Sequence, residues 1–172
     1  MCIRDSTATH LLHQALKNIL GNHVEQKGSR VSSENFRFDF SHFSKLSEID
    51  LENVENFVNK KIIDHLELEE NRNSSFQDCI DDGVIALFGE KYGDVVRSIK
   101  FGESHELCGG THVKNTSEIR SFIIKSESAI STGIRRIEAI SGDKAVDYLM
   151  KQAKTLKAVS YTHLTLPTKR IV

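Results

Sequence analysis

The chain has 172 residues, a formal net charge of −1 and three cysteines, and this length suits one domain or one domain with an appendage. Its composition, 38% hydrophobic and 27% charged, is typical of a soluble globular protein, and no apolar run approaches the roughly 18 residues of a membrane span. The first six residues precede no apolar core, so no signal peptide is predicted. The cysteines are odd in number and widely spaced, which argues against a disulfide framework and favours a reducing cytoplasm.

The charges are unevenly distributed. Residues 47–82 contain eleven acidic and three basic side chains. The rest of the chain therefore carries a basic surplus, which favours contact with a polyanion such as RNA. Lysines and arginines scattered over the surface would explain the same numbers equally well.

A first helix is predicted for residues 7–20, because apolar side chains recur there at helical spacing. Ser6 or Thr7 is the predicted N-cap, and Gly21 stands where a C-terminal glycine is expected. His10 is predicted on nearly the opposite side from the apolar stripe, and therefore outside the core that the stripe forms. The stripe consists of Leu11, Leu12, Ala15, Leu16, Ile19 and Leu20.

Residues 24–43 predict a β-hairpin or two short strands, with the turn at Lys27-Gly28-Ser29. Phe36, Phe38 and Phe40 alternate with polar residues, which is the pattern of a strand with one buried face. We expect this aromatic row to lie in the core. The alternative is a surface on which nucleobases stack.

The remaining elements are predicted from the same periodicities. They are an amphipathic helix at 47–66, a polar loop at 67–75, a helix at 76–87 interrupted by Gly83, strands at 95–101, 119–126 and 133–140, and a helix at 142–157. The tail at 159–172 contains the only proline, Pro167, and does not continue the period of the preceding helix.

Cys108 and His112 are four positions apart, separated by two glycines and a threonine. Thiolate and imidazole are zinc ligands, and three protein ligands with an open position are typical of a catalytic zinc site, whereas four form a structural one. His10 could supply the third ligand, although one sequence does not show that it meets the other two. A small buried Cys108 and a surface His10 are the alternatives.

Six stretches of the sequence together resemble one protein family. In order they are Thr7–His13, Gln26–Ser29, Phe36–Phe40, Ala86–Gly93, Glu106–Val113 and Arg135–Ala139. They are similar to the editing domains of alanyl-tRNA synthetases over roughly residues 7–150. The Cys-Gly-Gly-Thr-His turn is also found in threonyl-tRNA synthetase editing domains and in freestanding alanyl-tRNA editing proteins, whereas the Ala86–Gly93 stretch favours alanyl-tRNA synthetases.

The resemblance implies an α+β fold with helices packed on an antiparallel β-sheet, of the zinc-binding editing-domain (second additional domain) type. It places the editing domain at residues 7–141 and the start of a helical connection to a C-terminal region at 142–158. Residues 1–6 and 159–172 resemble no part of the family, and we expect both to be non-native. Aminoacylation and C-terminal domains are not recognisable, so ATP would serve only the parent ligase.

The implied activity is hydrolysis of tRNA(Ala) wrongly charged with serine or glycine. Selection against an amino acid that merely adds a hydroxyl is limited to about 10² in an apolar pocket, so a second, hydrolytic site restores accuracy. By resemblance, Thr9, Gln26 and Ser29 are the candidates that bind the serine hydroxyl. Ordinary polar roles in the first helical turn and in the hairpin turn are their alternatives.

The resemblance also implies that Zn²⁺ is bound by His10, Cys108 and His112, together with a family histidine at a position where this chain has Ser6. Because serine is a poor zinc ligand, we expect water in the fourth place and weaker metal binding than with histidine at position 6. His13 is a doubtful substitute. His13, His105 or Glu106 could assist proton transfer, and zinc could either activate water or position the substrate.

The implied partner is the acceptor end of tRNA(Ala), whose phosphates would meet basic side chains. The candidates are Lys27, Arg30, Lys91, Arg135 and Arg136. Two other functions remain open at this point. One is a freestanding trans-editing deacylase, and the other is a non-catalytic tRNA-binding module with a structural zinc.

Overall fold

The computed structural model describes residues 3–32, 34–86 and 92–164, with side chains described as far as residue 159. The elements are α1 (Ile3–Leu20), β1 (Gln26–Val31), β2 (Phe36–Ser41), α2 (Glu48–Ile63), β3 (Glu69–Ser75), α3 (Phe76–Asp81), β4 (Val95–Phe101), β5 (Ser104–Leu107), a 3₁₀ turn (Thr116–Ile119), β6 (Phe122–Ser131), β7 (Ile134–Ser141) and α4 (Asp143–Leu164).

The strands form two sheets, one in the order β1-β2-β7-β6 and one in the order β3-β4-β5. Each pair of neighbouring strands is antiparallel, and the helices pack on the sheets. The predicted α+β class is therefore confirmed. Among the described residues, no helix has the length and apolar character needed to cross a membrane.

The centre of the molecule is α1, which is buried on both sides. The predicted leucine stripe packs in the main core with Phe36, Phe38 and Phe40, all fully buried, as the alternation in β2 predicted. The opposite side of α1 is also buried, since His10 is only 6% exposed and His13 only 1%. The helix therefore joins a core on one side to a polar interior on the other, where it meets β5.

The predicted start of α1 was wrong by four residues. The helix begins at Ile3, so neither Ser6 nor Thr7 is an N-cap. Tertiary contacts stabilise the additional turn, because the buried Asp5 accepts a hydrogen bond from Ser141 Oγ at 2.6 Å and Arg4 pairs with Asp143 at 3.1 Å. Position 6 is consequently a helical position one turn before His10.

The hairpin of β1 and β2 was predicted, but its turn was misplaced. Lys27, Gly28 and Ser29 lie within β1, where Gln26 pairs with Phe40 and Gly28 pairs with Asp39. Lys27 is thus the extra residue of a β-bulge, a feature that glycine signals in the same way as it signals a turn. After the bulge, Ser29 lies opposite Phe38, so Gln26 and Ser29 share the face of the sheet that packs against α1.

Other boundaries also differ from the predictions. The segment expected as a polar loop forms β3, because β4 offers it a hydrogen-bonding edge. The third helix ends at Asp81, where Gly83 adopts a positive φ of +75°. The short strand β5 was missed. The strand expected at 119–126 begins only at Phe122, and α4 continues past residue 159 to Leu164. Residues 87–91 of the Ala86–Gly93 motif lie outside the described residues.

The leucine side of α1 gives a stability prediction. Leu12 is fully buried, so Leu12→Ala should lower the free energy of unfolding by about 2–5 kcal/mol. Leu156 on α4 is 72% exposed, and Leu156→Ala should change the free energy of unfolding by less than about 0.5 kcal/mol. Urea denaturation followed by circular dichroism measures both variants, and equal effects would contradict the burial of α1.

Candidate metal centre

The metal-ligand turn follows directly after β5 and is fixed to β4. The backbone N–H of Cys108 donates to the carbonyl of Arg97 at 3.1 Å, and the Arg97 guanidinium donates to the carbonyl oxygens of Cys108 and Gly110. Glu70 on β3 accepts from Arg97 Nε at 2.6 Å, and hydrogen bonds from Arg72 and Arg97 lower the pKa of Glu70 to about 2. This guanidinium clamp was not recognised in the sequence.

The structure brings the three predicted metal ligands together. The ligand atoms of His10, Cys108 and His112 all lie within 4.8 Å of one another. His112 Nε2 is 3.3 Å from Cys108 Sγ, and the two imidazole rings meet edge to face with their centroids 4.7 Å apart. His10 and Cys108 are 98 positions apart in the sequence, and the packing of α1 against the turn brings them together.

Ser6 lies beside these ligands, as its position one turn before His10 requires. A Cβ atom added to Gly110 would lie 3.5 Å from Ser6 Oγ, 3.4 Å from Cys108 Sγ and 3.6 Å from His112 Nε2. A side chain at position 110 would thus fill the space that these three atoms surround. The glycine keeps that space open.

A buried carboxylate, Glu106, orients two histidines at once. Glu106 is 2% exposed; its Oε2 lies 3.0 Å from His10 Nδ1, and its Oε1 lies 2.8 Å from His13 Nδ1. Nδ1 of His10 lies within ion-pair distance of the carboxylate without being aligned for a hydrogen bond, and Nε2 is the ring nitrogen that remains for a metal ion, with a carboxylate behind the ring. His13 faces the same carboxylate and does not belong to the ligand group.

The charged forms of His10 and Glu106 stabilise each other. Burial lowers the pKa of His10, but the Glu106 carboxylate and Cys108 raise it by more. Burial likewise raises the pKa of Glu106, but His10 and His13 lower it by more. Each charged form is thus stabilised by its partner, as a buried ion pair requires.

The hydroxyl of Thr7 orients His112. This fully buried side chain donates to the carbonyl of Ile3 at 3.2 Å and accepts from the backbone N–H of Val113 at 3.2 Å. Its oxygen also lies 3.2 Å from His112 Nδ1. This contact holds the ring with Nε2 toward Cys108 Sγ.

The donor set fits zinc. Burial raises the pKa of the Cys108 thiol, but hydrogen bonds with His10 and His112 outweigh it and lower the pKa from 9.0 to about 6. A thiolate at neutral pH and two imidazole Nε2 atoms therefore converge on one point, and these are zinc ligands. A structural zinc site has four protein ligands, so it would need one more. The position one helical turn before His10 is occupied by Ser6.

A cavity of about 370 Å³ adjoins the metal ligands. The side chains predicted to bind a serine hydroxyl, Thr9, Gln26 and Ser29, all line it, and Gln26 Nε2 donates to Ser29 Oγ at 3.1 Å. The bulge at Lys27 places these last two residues on the cavity side of β1. The lining residues are Ser6, Thr9, His10, Gln26, Ser29, Val31, Glu106, Cys108, Gly109 and Gly110.

The predicted phosphate contacts that the structure describes do not line this cavity. Arg136 forms two hydrogen bonds with Asp39, and Arg135 is paired with Glu127, so Asp39 and Glu127 offset both charges within the protein. Lys27 pairs with Glu25 at 2.7 Å and Arg30 is exposed, while Lys91 lies outside the described residues. His105, proposed for proton transfer, lines a different cavity, which residues of β3, β4 and α3 help to form.

The lowered pKa of Cys108 predicts the pH dependence of its alkylation. In a Cys2→Ser, Cys79→Ser background with chelator present, the iodoacetamide rate should rise with pH through a midpoint near 6, since the thiolate is the nucleophile. His10→Ala removes one stabilising hydrogen bond and should move the midpoint upward. A midpoint above about 8, the range of an ordinary thiol, would contradict the described geometry.

Comparison with known proteins relates the chain to aminoacyl-tRNA synthetases. Residues 96–138 match the family described as the threonyl and alanyl tRNA synthetase second additional domain. The chain is 63% identical over 153 residues to the alanine–tRNA ligase of Christiangramia forsetii, 55% over 156 residues to that of Flavobacterium psychrophilum, and 51% over 155 residues to that of Thermotoga maritima.

These matches cover 89%, 91% and 90% of this chain but only 18% of each relative. The chain therefore spans less than a fifth of the length of the ligases that it matches. The matched family segment contains Cys108, His112 and Glu106, which are the C-terminal contributors to the cluster. The chain is thus a homologue of the segment of alanine–tRNA ligases that contains the second additional domain.

Proposed function

We propose that the chain is an aminoacyl-tRNA deacylase that hydrolyses tRNA(Ala) wrongly charged with serine or glycine, and that it acts in the cytoplasm, where translation takes place. One observation carries this proposal: a single cavity is lined both by two of the metal ligands and by Thr9, Gln26 and Ser29. Reaction chemistry and amino-acid selection would therefore occur in the same space.

The polar lining supports the selection of serine over alanine. Gln26 and Ser29 already bond to each other, so a bound hydroxyl can join an existing hydrogen-bonded pair. Thr9 donates its proton to the carbonyl of Asp5 at 2.7 Å, which leaves its oxygen free to accept. A site built to bond a hydroxyl disfavours alanine, which lacks it, because the polar groups would then be left unpaired.

A zinc ion held by His10, Cys108 and His112 would supply Lewis-acid chemistry, either to a water molecule or to the substrate's amino group and sugar. The protein's own contribution is orientation. Glu106 and Thr7 direct one nitrogen each of His10 and His112 toward the ligand point, and Arg97 holds the turn. Gly109 and Gly110 allow the substrate's ester to approach the backbone closely.

The acceptor end of tRNA(Ala) would supply the ester to this cavity. In a complete ligase the chain would act beside the aminoacylation domain, which alone would need ATP, and the C-terminal domain. A non-catalytic tRNA-binding module with a structural zinc is the competing function. The open cavity beside the ligands favours hydrolysis, since a structural zinc needs no adjoining space.

Serine release from Ser-tRNA(Ala) tests the proposal. The chain should release serine much faster than it releases alanine from Ala-tRNA(Ala), and a chelator should abolish the release. Cys108→Ala should reduce the rate by at least about 10²-fold, because a zinc site that loses a ligand loses its chemistry. Labelled amino acid in the soluble fraction measures the rate.

The control is the folded state of Cys108→Ala, followed by circular dichroism. The structural-zinc module would instead be supported by two results together. Cys108→Ala would be unfolded, and the unsubstituted chain would bind both tRNAs but release neither amino acid. Equal rates for serine and alanine would contradict the proposed role of the polar lining.

A further inference from the structure

A column of aromatic rings runs from the core to the surface beside the cavity. Successive centroids are 6.2, 6.4, 5.2 and 6.3 Å apart, and successive planes differ by only 20–29°. The two inner rings are fully buried, whereas the outermost phenylalanine is 89% exposed. In order, the rings of this aromatic column are Phe38, Phe40, His42, His23 and Phe43.

The column lies on the cavity side of the sheet. Phe40 pairs with Gln26 and Phe38 with Ser29, and paired residues of antiparallel strands project to the same face. Because Gln26 and Ser29 line the cavity, Phe40 and Phe38 of the column lie beside these lining residues. Its outer rings therefore extend the cavity's own face toward the solvent.

Hydrogen bonds and packing position the outer rings of the column. His23 Nε2 and His42 Nδ1 are 2.9 Å apart, and His42 Nε2 is 3.2 Å from Ser44 Oγ. The backbone N–H of His42 donates to the carbonyl of Gly133 at 3.0 Å, and Phe43 lies over that glycine, 3.8 Å from where a Cβ would be. A surface organised before binding loses little conformational entropy when it receives a partner.

The size and chemistry of this surface suit nucleobases better than a protein. One exposed phenylalanine and two imidazoles provide far less than the roughly 800 Å² that each partner buries in a stable protein interface. Flat rings that continue a stack are instead the surfaces on which unpaired bases bind, at about 1–3 kcal/mol per base. The nearby carboxylates are already engaged, since Asp50 caps α2 and Glu127 pairs with Arg135.

We propose that His23, His42 and Phe43 form a stacking surface for the unpaired nucleotides of an RNA whose aminoacylated end enters the cavity. This proposal rests on the proposed function and assigns the contact that would bind the single-stranded end outside the cavity. The column then aligns the strand with the face of the sheet that carries Gln26 and Ser29.

Binding of tRNA(Ala) that carries 2-aminopurine in its unpaired 3′ end tests this contact. Stacking quenches the fluorophore, so titration gives both the dissociation constant and the contact. Phe43→Leu, which keeps an apolar side chain but removes the ring, should raise the dissociation constant about 5- to 100-fold and reduce the quenching. Phe43→Trp should bind within about twofold of the unsubstituted chain, because base stacking needs only an aromatic face.

Ile49→Ala is the matched control, since Ile49 is 69% exposed and is not a ring of the column; its binding should not change. Unchanged binding and quenching in Phe43→Leu would overturn the proposal, as would an absence of binding by the unsubstituted chain. A change in sedimentation coefficient without a change in RNA binding would identify a contact between two copies and also overturn it.

Serine release measured in the same samples separates this proposal from the proposed function. If the unsubstituted chain hydrolyses Ser-tRNA(Ala) and Phe43→Leu binds equally well, only the stacking surface is wrong. If Phe43→Leu loses affinity but the unsubstituted chain releases no serine, the stacking surface stands and the proposed function fails.

Discussion

The contact of one buried carboxylate with two imidazoles is the constraint on which the rest of the structure depends. Transferring an isolated carboxylate from water to a protein interior costs several kcal/mol, and Glu106 is almost completely buried. His10 and His13 compensate for this cost at 3.0 and 2.8 Å. Because Glu106 belongs to β5 and both histidines to α1, the contact requires the helix to be buried on its polar side as well as on its leucine side.

That requirement accounts for the location of the metal centre. Glu106 is two residues before Cys108, so the carboxylate that receives His10 also brings the helix to the ligand turn. Thr7, three residues before His10, then reaches His112 and Val113. Glu106 and Thr7 thus orient the imidazoles of His10 and His112 through their Nδ1 atoms, and the Arg97–Glu70 pair holds the turn. The ligand side chains are therefore oriented before a metal ion binds, which reduces the free-energy cost of ordering them on binding.

Periodic patterns predicted the parts of the fold in which one face is buried. The leucine stripe of α1, the phenylalanine row of β2 and the strand β4 could all be recognised because burial of one face leaves a regular spacing. Those patterns did not reveal the second buried side of α1, since its residues are polar and their partners are distant in sequence. Strand β3 contains only polar residues, and the bulge at Lys27 carries the same glycine signal as a turn.

The metal ligands of the candidate site could be recognised in the sequence, but the residues that orient them could not. Cys108 and His112 could be paired from their spacing, and His10 was added because it lies off the leucine stripe, although its contact with them required the structure. Arg97 carried no signal of its role, because an arginine in a strand usually points to solvent. Glu106 lay within a recognised motif, but only the register of β5 shows that its side chain points inward to the two histidines.

X-ray absorption at the zinc edge of the zinc-loaded chain tests most directly whether α1 and the turn bind one metal ion. The described geometry predicts one sulfur ligand at about 2.3 Å and two imidazole nitrogens at about 2.0–2.1 Å, with a light atom completing the shell. In His10→Ala, one imidazole should disappear while the sulfur remains. A spectrum without sulfur, or one that His10→Ala leaves unchanged, would contradict the assignment of the metal centre.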